Sequence, residues 1–112
     1  MTIVCGPPNS GKTTWCRQQA NGRDLVWDLD VVAATLNGVY RSNRHRPVEI
    51  QKLLAEWRDT MMQYSVSDRM PNNMYIIISD IDRARELAKK YQAHQLVRMR
   101  NRIPHCVERP TP

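Results

Sequence analysis

Eight residues near the start of the chain, Gly6-Pro7-Pro8-Asn9-Ser10-Gly11-Lys12-Thr13, match G-x-x-x-x-G-K-[ST] at every fixed position. They stand between a β-branched run, Thr2 to Cys5, and a helical segment, Lys12 to Ala20, which is the setting this motif requires. Gly6 and Gly11 permit backbone angles and close approaches that a side chain would block. Successive N–H groups then point inward as an anion nest, at the positive end of the following helix. Lys12 is expected to reach the β- and γ-phosphates of a nucleotide, and the Thr13 hydroxyl to ligate Mg²⁺. The expected contact set is Gly6, Pro7, Pro8, Asn9, Ser10, Gly11, Lys12, Thr13 and Thr14. Asn9 stands where glycine would be unsurprising, and asparagine tolerates left-handed angles better than most residues.

The rest of the chain reads as alternating strands and helices. Leu25 to Leu29 (LVWDL) has strand length, and Asp30 is placed to cap a helix from Val31 to Leu36. Gly38 to Pro47 is polar, basic and aperiodic, as an exposed loop is. From Val48 to Tyr64 apolar residues recur at Ile50, Leu53, Leu54, Trp57, Met61 and Tyr64, the strongest helical period in the sequence, which predicts a core-facing stripe. Pro71-Asn72-Asn73 marks a turn, and Met74 to Ser79 (MYIIIS) reads as a central strand, apolar on both faces. Ile81 to Gln92 is an amphipathic helix with Ala84, Leu87, Ala88 and Tyr91 on one side. His94 to Val97 allows a fourth strand, followed by Arg98, Arg100 and Arg102 and a Pro-bearing flexible tail over residues 103–112. Strands alternating with helices predict an α/β fold, a parallel sheet covered on both faces. At 112 residues this is a single domain spanning 1–112.

Two acidic segments are candidates for chemistry beside the loop. If Leu25 to Leu29 and Asp30 continue as one strand, Asp28 and Asp30 point the same way at its carboxyl end, the edge where ligands sit in open α/β sheets. A carboxylate there holds Mg²⁺ through water or accepts a proton from an attacking hydroxyl. Helix capping by Asp30 and a turn role for Asp28 are the plainer alternatives. Ile76-Ile77-Ile78-Ser79-Asp80 has the form of a Walker B strand, which would make Asp80 a Mg²⁺ carboxylate, with capping of the next helix as the alternative.

The strand, the GPPNSGKTT loop and the VWDLD segment resemble the small P-loop kinases, a superfamily that includes shikimate, gluconate, nucleoside-monophosphate and polynucleotide 5′-hydroxyl kinases. The sequence looks most similar to short phage-encoded kinase-like P-loop proteins. The resemblance is close over residues 1–36 and loose beyond. It implies the three-layer P-loop NTPase fold with a minimal sheet of four or five parallel strands. It also implies ATP and Mg²⁺, transfer of the γ-phosphoryl group to a nucleotide, a polynucleotide 5′ end or another small acceptor, and an acceptor-side role for Asp28 or Asp30. In that family an arginine-bearing lid follows the fourth strand, and Arg98, Arg100 and Arg102 stand at the matching place. Alternate spacing in an extended segment would put all three on one side. Family members normally continue into another helix and a fifth strand, so the lid and base pocket are expected to be incomplete here or completed by a second subunit, as in a homo-oligomer. The competing expectations are a nucleotide-driven ATPase or switch acting on nucleic acid or a protein partner, with Asp80 as the Walker B carboxylate, and a degenerate P-loop module that binds nucleotide without catalysis.

Composition narrows the partners. Seventeen Lys and Arg against eleven Asp and Glu give +6, which favours nucleotides or nucleic acid through long-range attraction. Arg41, Arg44 and Arg46, with Tyr40 and His45 among them, are the candidate nucleic-acid grip, a solvated loop being the alternative. His45, His94 and His105 lack ligand spacing and are expected at the surface. The three cysteines, Cys5, Cys16 and Cys106, have no zinc spacing, and buried free thiols are expected. Met1 leads directly into the first strand, and the longest apolar runs are too short for a membrane span. A reducing cytoplasm is the expected compartment.

Overall fold

The computed structural model describes residues 1–7, 10–37, 48–66 and 73–108. In chain order its elements are β1 (Thr2–Cys5), α1 (Lys12–Gln19), β2 (Leu25–Trp27), α2 (Leu29–Asn37), α3 (Val48–Val66), β3 (Met74–Ile78), α4 (Ile81–Lys90), β4 (Gln95–Arg100) and β5 (Ile103–Glu108). They form an α/β domain on one five-stranded sheet of order β2-β3-β1-β4-β5. The first four strands run parallel to one another, with Thr2 opposite Tyr75 on one side of β1 and Gln95 on the other. β5 runs antiparallel to β4, so the sheet is mixed rather than wholly parallel.

Alternation along the central strands sorts the core into two halves. Ile3, Cys5, Met74, Ile76, Ile78 and Leu96 join Met62 of α3 and Ala84, Leu87 and Ala88 of α4 on one face. Val4, Tyr75, Ile77, Val97 and Met99 join Cys16 of α1 on the other. β1 and β3 are buried along their full length, as strands covered on both faces must be. The α4 stripe is buried as its spacing predicts, with Tyr91 at its end. Cys5 and Cys16 are buried free thiols, and His94 and His105 are exposed. No helix among the described residues is long and apolar enough to cross a membrane.

Three expectations need correction. The second strand stops at Trp27, and α2 starts at Leu29. Its cap is Asp28, not Asp30: the Asp28 main-chain carbonyl accepts from Val32 N and its Oδ1 from Asp30 N. The carboxyl-terminal segment is no flexible tail through Glu108. Residues 103–108 pair with β4, and Pro104 is accommodated because β5 is an edge strand. The long-helix stripe is split. Leu54 and Met62 are fully buried, whereas Leu53 is 59% and Trp57 44% exposed, and Arg58 takes a buried position between them. Arg58 is held there by Asp59 Oδ1 at 3.1 Å.

Candidate functional site

The carboxyl end of β1 opens into the loop, and each fixed residue there has a visible constraint. A Cβ on Gly6 would lie 2.7 Å from the Met99 carbonyl oxygen and 2.8 Å from Ser10 Oγ, which leaves no room for a side chain. Gly11 has φ 91° and ψ 15°, the left-handed region glycine enters freely, and caps the amino end of α1. Glycine offers no side-chain cap, and no acidic residue occupies the first turn of α1. The positive end of α1 thus has no acid of its own, and its N–H groups suit an anion.

Lys12 folds back over the loop. Its Nζ donates to the carbonyl oxygens of Gly6 at 2.7 Å and Pro7 at 2.9 Å. Burial pushes its ammonium below the ordinary 10.5, and the carboxylates of Asp28 and Asp30 act in the opposite sense. Both acids at the β2–α2 junction thus favour the charged form of this lysine. Ser10 is buried, and its hydroxyl oxygen has no hydrogen-bond partner among the described residues.

Across the loop, Thr13 Oγ1 donates to Asp28 Oδ2 at 2.7 Å. Asp28 thus has two tasks, one oxygen capping α2 and the other tied to Thr13. Strand alternation does not align Asp28 and Asp30, because only Asp28 follows the strand directly and Asp30 belongs to the first turn of α2. Asp80 closes the amino end of α4, where its Oδ1 accepts from Asp82 N at 3.1 Å. The acid joined to the Thr13 hydroxyl is therefore the one after β2. A hydroxyl and a carboxylate in contact are the hard oxygen donors Mg²⁺ prefers, so Thr13 and Asp28 fit this ion. Among the described residues no group of three or more His, Cys, Asp or Glu forms a protein-only metal cage. Mg²⁺ ordinarily binds through one or two protein oxygens, with phosphates and water completing its shell.

The three arginines do not act as one row. Arg98 and Arg100 lie within β4 and alternate with Val97 and Met99, so they fall on the Leu96 side of the sheet, Arg98 half-buried and Arg100 exposed. Arg98 pairs across the ladder with Cys5. Burial raises the Cys5 thiol above its ordinary value, and the nearby positive charges of Arg98, Lys12 and Arg85 oppose the rise. Arg102 stands in the two-residue β4–β5 turn, where its N–H donates to the Ser10 carbonyl oxygen at 3.0 Å. Sequence reasoning missed this hairpin. Its signal was Asn101-Arg102 between two runs of strand length, but arginine in place of the usual glycine concealed it.

Pro8 and Asn9 of the loop and the whole basic segment with Arg41, Arg44 and Arg46 lie outside the described residues. Compared with protein-family models, curated proteins and solved structures, the chain has no match.

Proposed function

We propose that this chain is a Mg²⁺-dependent ATP-binding protein of the three-layer P-loop NTPase fold, and that it acts as a kinase on a small acceptor or a polynucleotide 5′ end. The observation that carries the proposal is the Thr13–Asp28 hydrogen bond at 2.7 Å, made next to a lysine whose charge Asp28 and Asp30 both favour. The loop between β1 and α1, and helices on both faces of the sheet, support the finer fold assignment.

Each residue then has a chemical task. Lys12 exchanges the Gly6 and Pro7 carbonyls for phosphate oxygens, which recover its charge-assisted hydrogen bonds. Thr13 and Asp28 would hold Mg²⁺, which supplies charge neutralisation at the phosphates when bound. Asp28 is tied to Thr13 and caps α2, and we assign Asp30, in the first turn of α2, to orient an acceptor hydroxyl. Arg102, at the loop, is the arginine of the three best placed to meet phosphate charge, while Arg98 and Arg100 lie on the Leu96 side of the sheet. Catalysis of this kind is positioning and charge stabilisation.

The test follows γ-labelled Mg-ATP with water alone, deoxynucleotides, or 5′-hydroxyl DNA and RNA. Label on an acceptor, lost in Lys12→Ala, is the expected result. Asp30→Asn should abolish transfer and leave ATP binding intact, whereas Asp28→Asn should raise the Mg²⁺ requirement. Label released only as free phosphate would replace the kinase reading by an ATPase. ATP that never binds removes both.

A further inference from the structure

Both fixed glycines of the phosphate loop lie against one element, the β4–β5 hairpin. The Met99 carbonyl of β4 fills the space a side chain on Gly6 would need, at 2.7 Å. Arg102 of the turn fills the space at Gly11, with its Cγ at 3.3 Å and its Cα at 3.4 Å from a Cβ placed there. Between these two contacts the Arg102 N–H donates to the Ser10 carbonyl at 3.0 Å.

The turn has only two residues, and both have positive φ, 49° at Asn101 and 64° at Arg102. A type I′ turn takes asparagine readily at its first central position and ordinarily takes glycine at its second. Arginine there keeps a strained backbone. In a free two-residue turn the second N–H faces solvent. Here it is spent on the loop, and the local strain coincides with that contact.

We propose that the β4–β5 turn is a fixed clamp on the phosphate loop, in which Arg102 is a positioning residue acting through its main chain. The clamp holds Ser10 and Gly11 in their anion-accepting shape before any ligand arrives. The loop is then preformed rather than assembled by a closing lid, and a nucleotide does not have to order it on binding. The ligand assignment rests on the kinase reading, but the shape of the loop is measurable without a nucleotide.

Hydrogen exchange on the ligand-free chain is the direct test. The Arg102 amide should exchange about tenfold or more slowly than the Asn101 amide beside it. Inserting one glycine between Asn101 and Arg102 should remove that protection and speed exchange at Ser10, while amides of β1 and β3 keep theirs. ATP affinity should fall by about 2- to 10-fold, the effect of one lost hydrogen bond. Arg102→Gly keeps the N–H and relieves the strained angle, so the protection of Ser10 and of residue 102 should persist. An unprotected Arg102 amide in the native chain overturns the clamp. So does loss of Ser10 protection in Arg102→Gly, because the side chain would then be the holding group. If the native chain fails to bind ATP the kinase reading falls, and exchange alone still decides the clamp.

Discussion

The phosphate loop and helix α3 carry the two strongest signals in the sequence, and they differ in what they specify. The loop signal is a set of exact positions. Gly6, Gly11, Lys12 and Thr13 each meet a separate local constraint: a carbonyl, a left-handed angle, two loop oxygens, and a carboxylate. The α3 signal is a period. It specifies a helix, and Val48–Val66 forms one, but several adjacent stripes satisfy the same count. The buried stripe includes Leu54, Arg58 and Met62, and the neighbouring Leu53 and Trp57 stay exposed. Steric requirements identify residues, whereas hydrophobic periodicity identifies only an element and an approximate face.

Substitutions that contrast the two regions should separate most widely in α3 itself. Leu54→Ala should cost about 2–5 kcal/mol in urea unfolding, because it empties a fully enclosed site. A cost below about 1 kcal/mol would return the core to the Leu53 side of the helix. Gly6→Ala should cost about 1–3 kcal/mol through overpacking against Met99 and Ser10. An unchanged melting temperature would break the close-approach account of the motif. Asp28→Ala, which removes both the α2 cap and the Thr13 acceptor, should cost about 0.5–2 kcal/mol. Leu53→Ser on the exposed side should stay within about 0.5 kcal/mol of the native protein.

A pH series sharpens the α1 half of the comparison. Burial raises the Cys16 thiol from 9.0 to about 12. A folded pKa above the unfolded one gives stability that is fully present below pH 9 and is lost as pH rises toward about 12. The native chain should therefore lose stability above pH 9 more steeply than Cys16→Ala, as followed by the urea midpoint. Parallel curves for the two proteins would remove Cys16 from the buried set.

Much of the fold was legible because it depends on local patterns. β1, α1, β3 and α4 follow from a β-branched run, a loop motif, an apolar run and an amphipathic period. The remainder depended on tertiary partners. Asp28 and Asp30 have identical side chains two residues apart, and only the end of β2 at Trp27 decides which one caps the helix. The segment from Ile103 to Glu108, with Pro104 and no clear alternation, becomes a strand because β4 supplies a ladder for it. The arginine spacing at 98, 100 and 102 suggested one row, but a turn between Arg100 and Ile103 turns the third away from the other two.

The sheet order has a consequence for how the chain acquires its shape. β1 comprises residues 2–5, yet its two neighbours are β3, from Met74, and β4, from Gln95. β1 therefore waits for β4 before it gains both its ladders, through contacts that close loops of some seventy to ninety residues. Such long-range pairing is slow relative to local helix formation. On a ribosome, the loop that follows β1 would emerge before its sheet and remain without it until β4 had been synthesised.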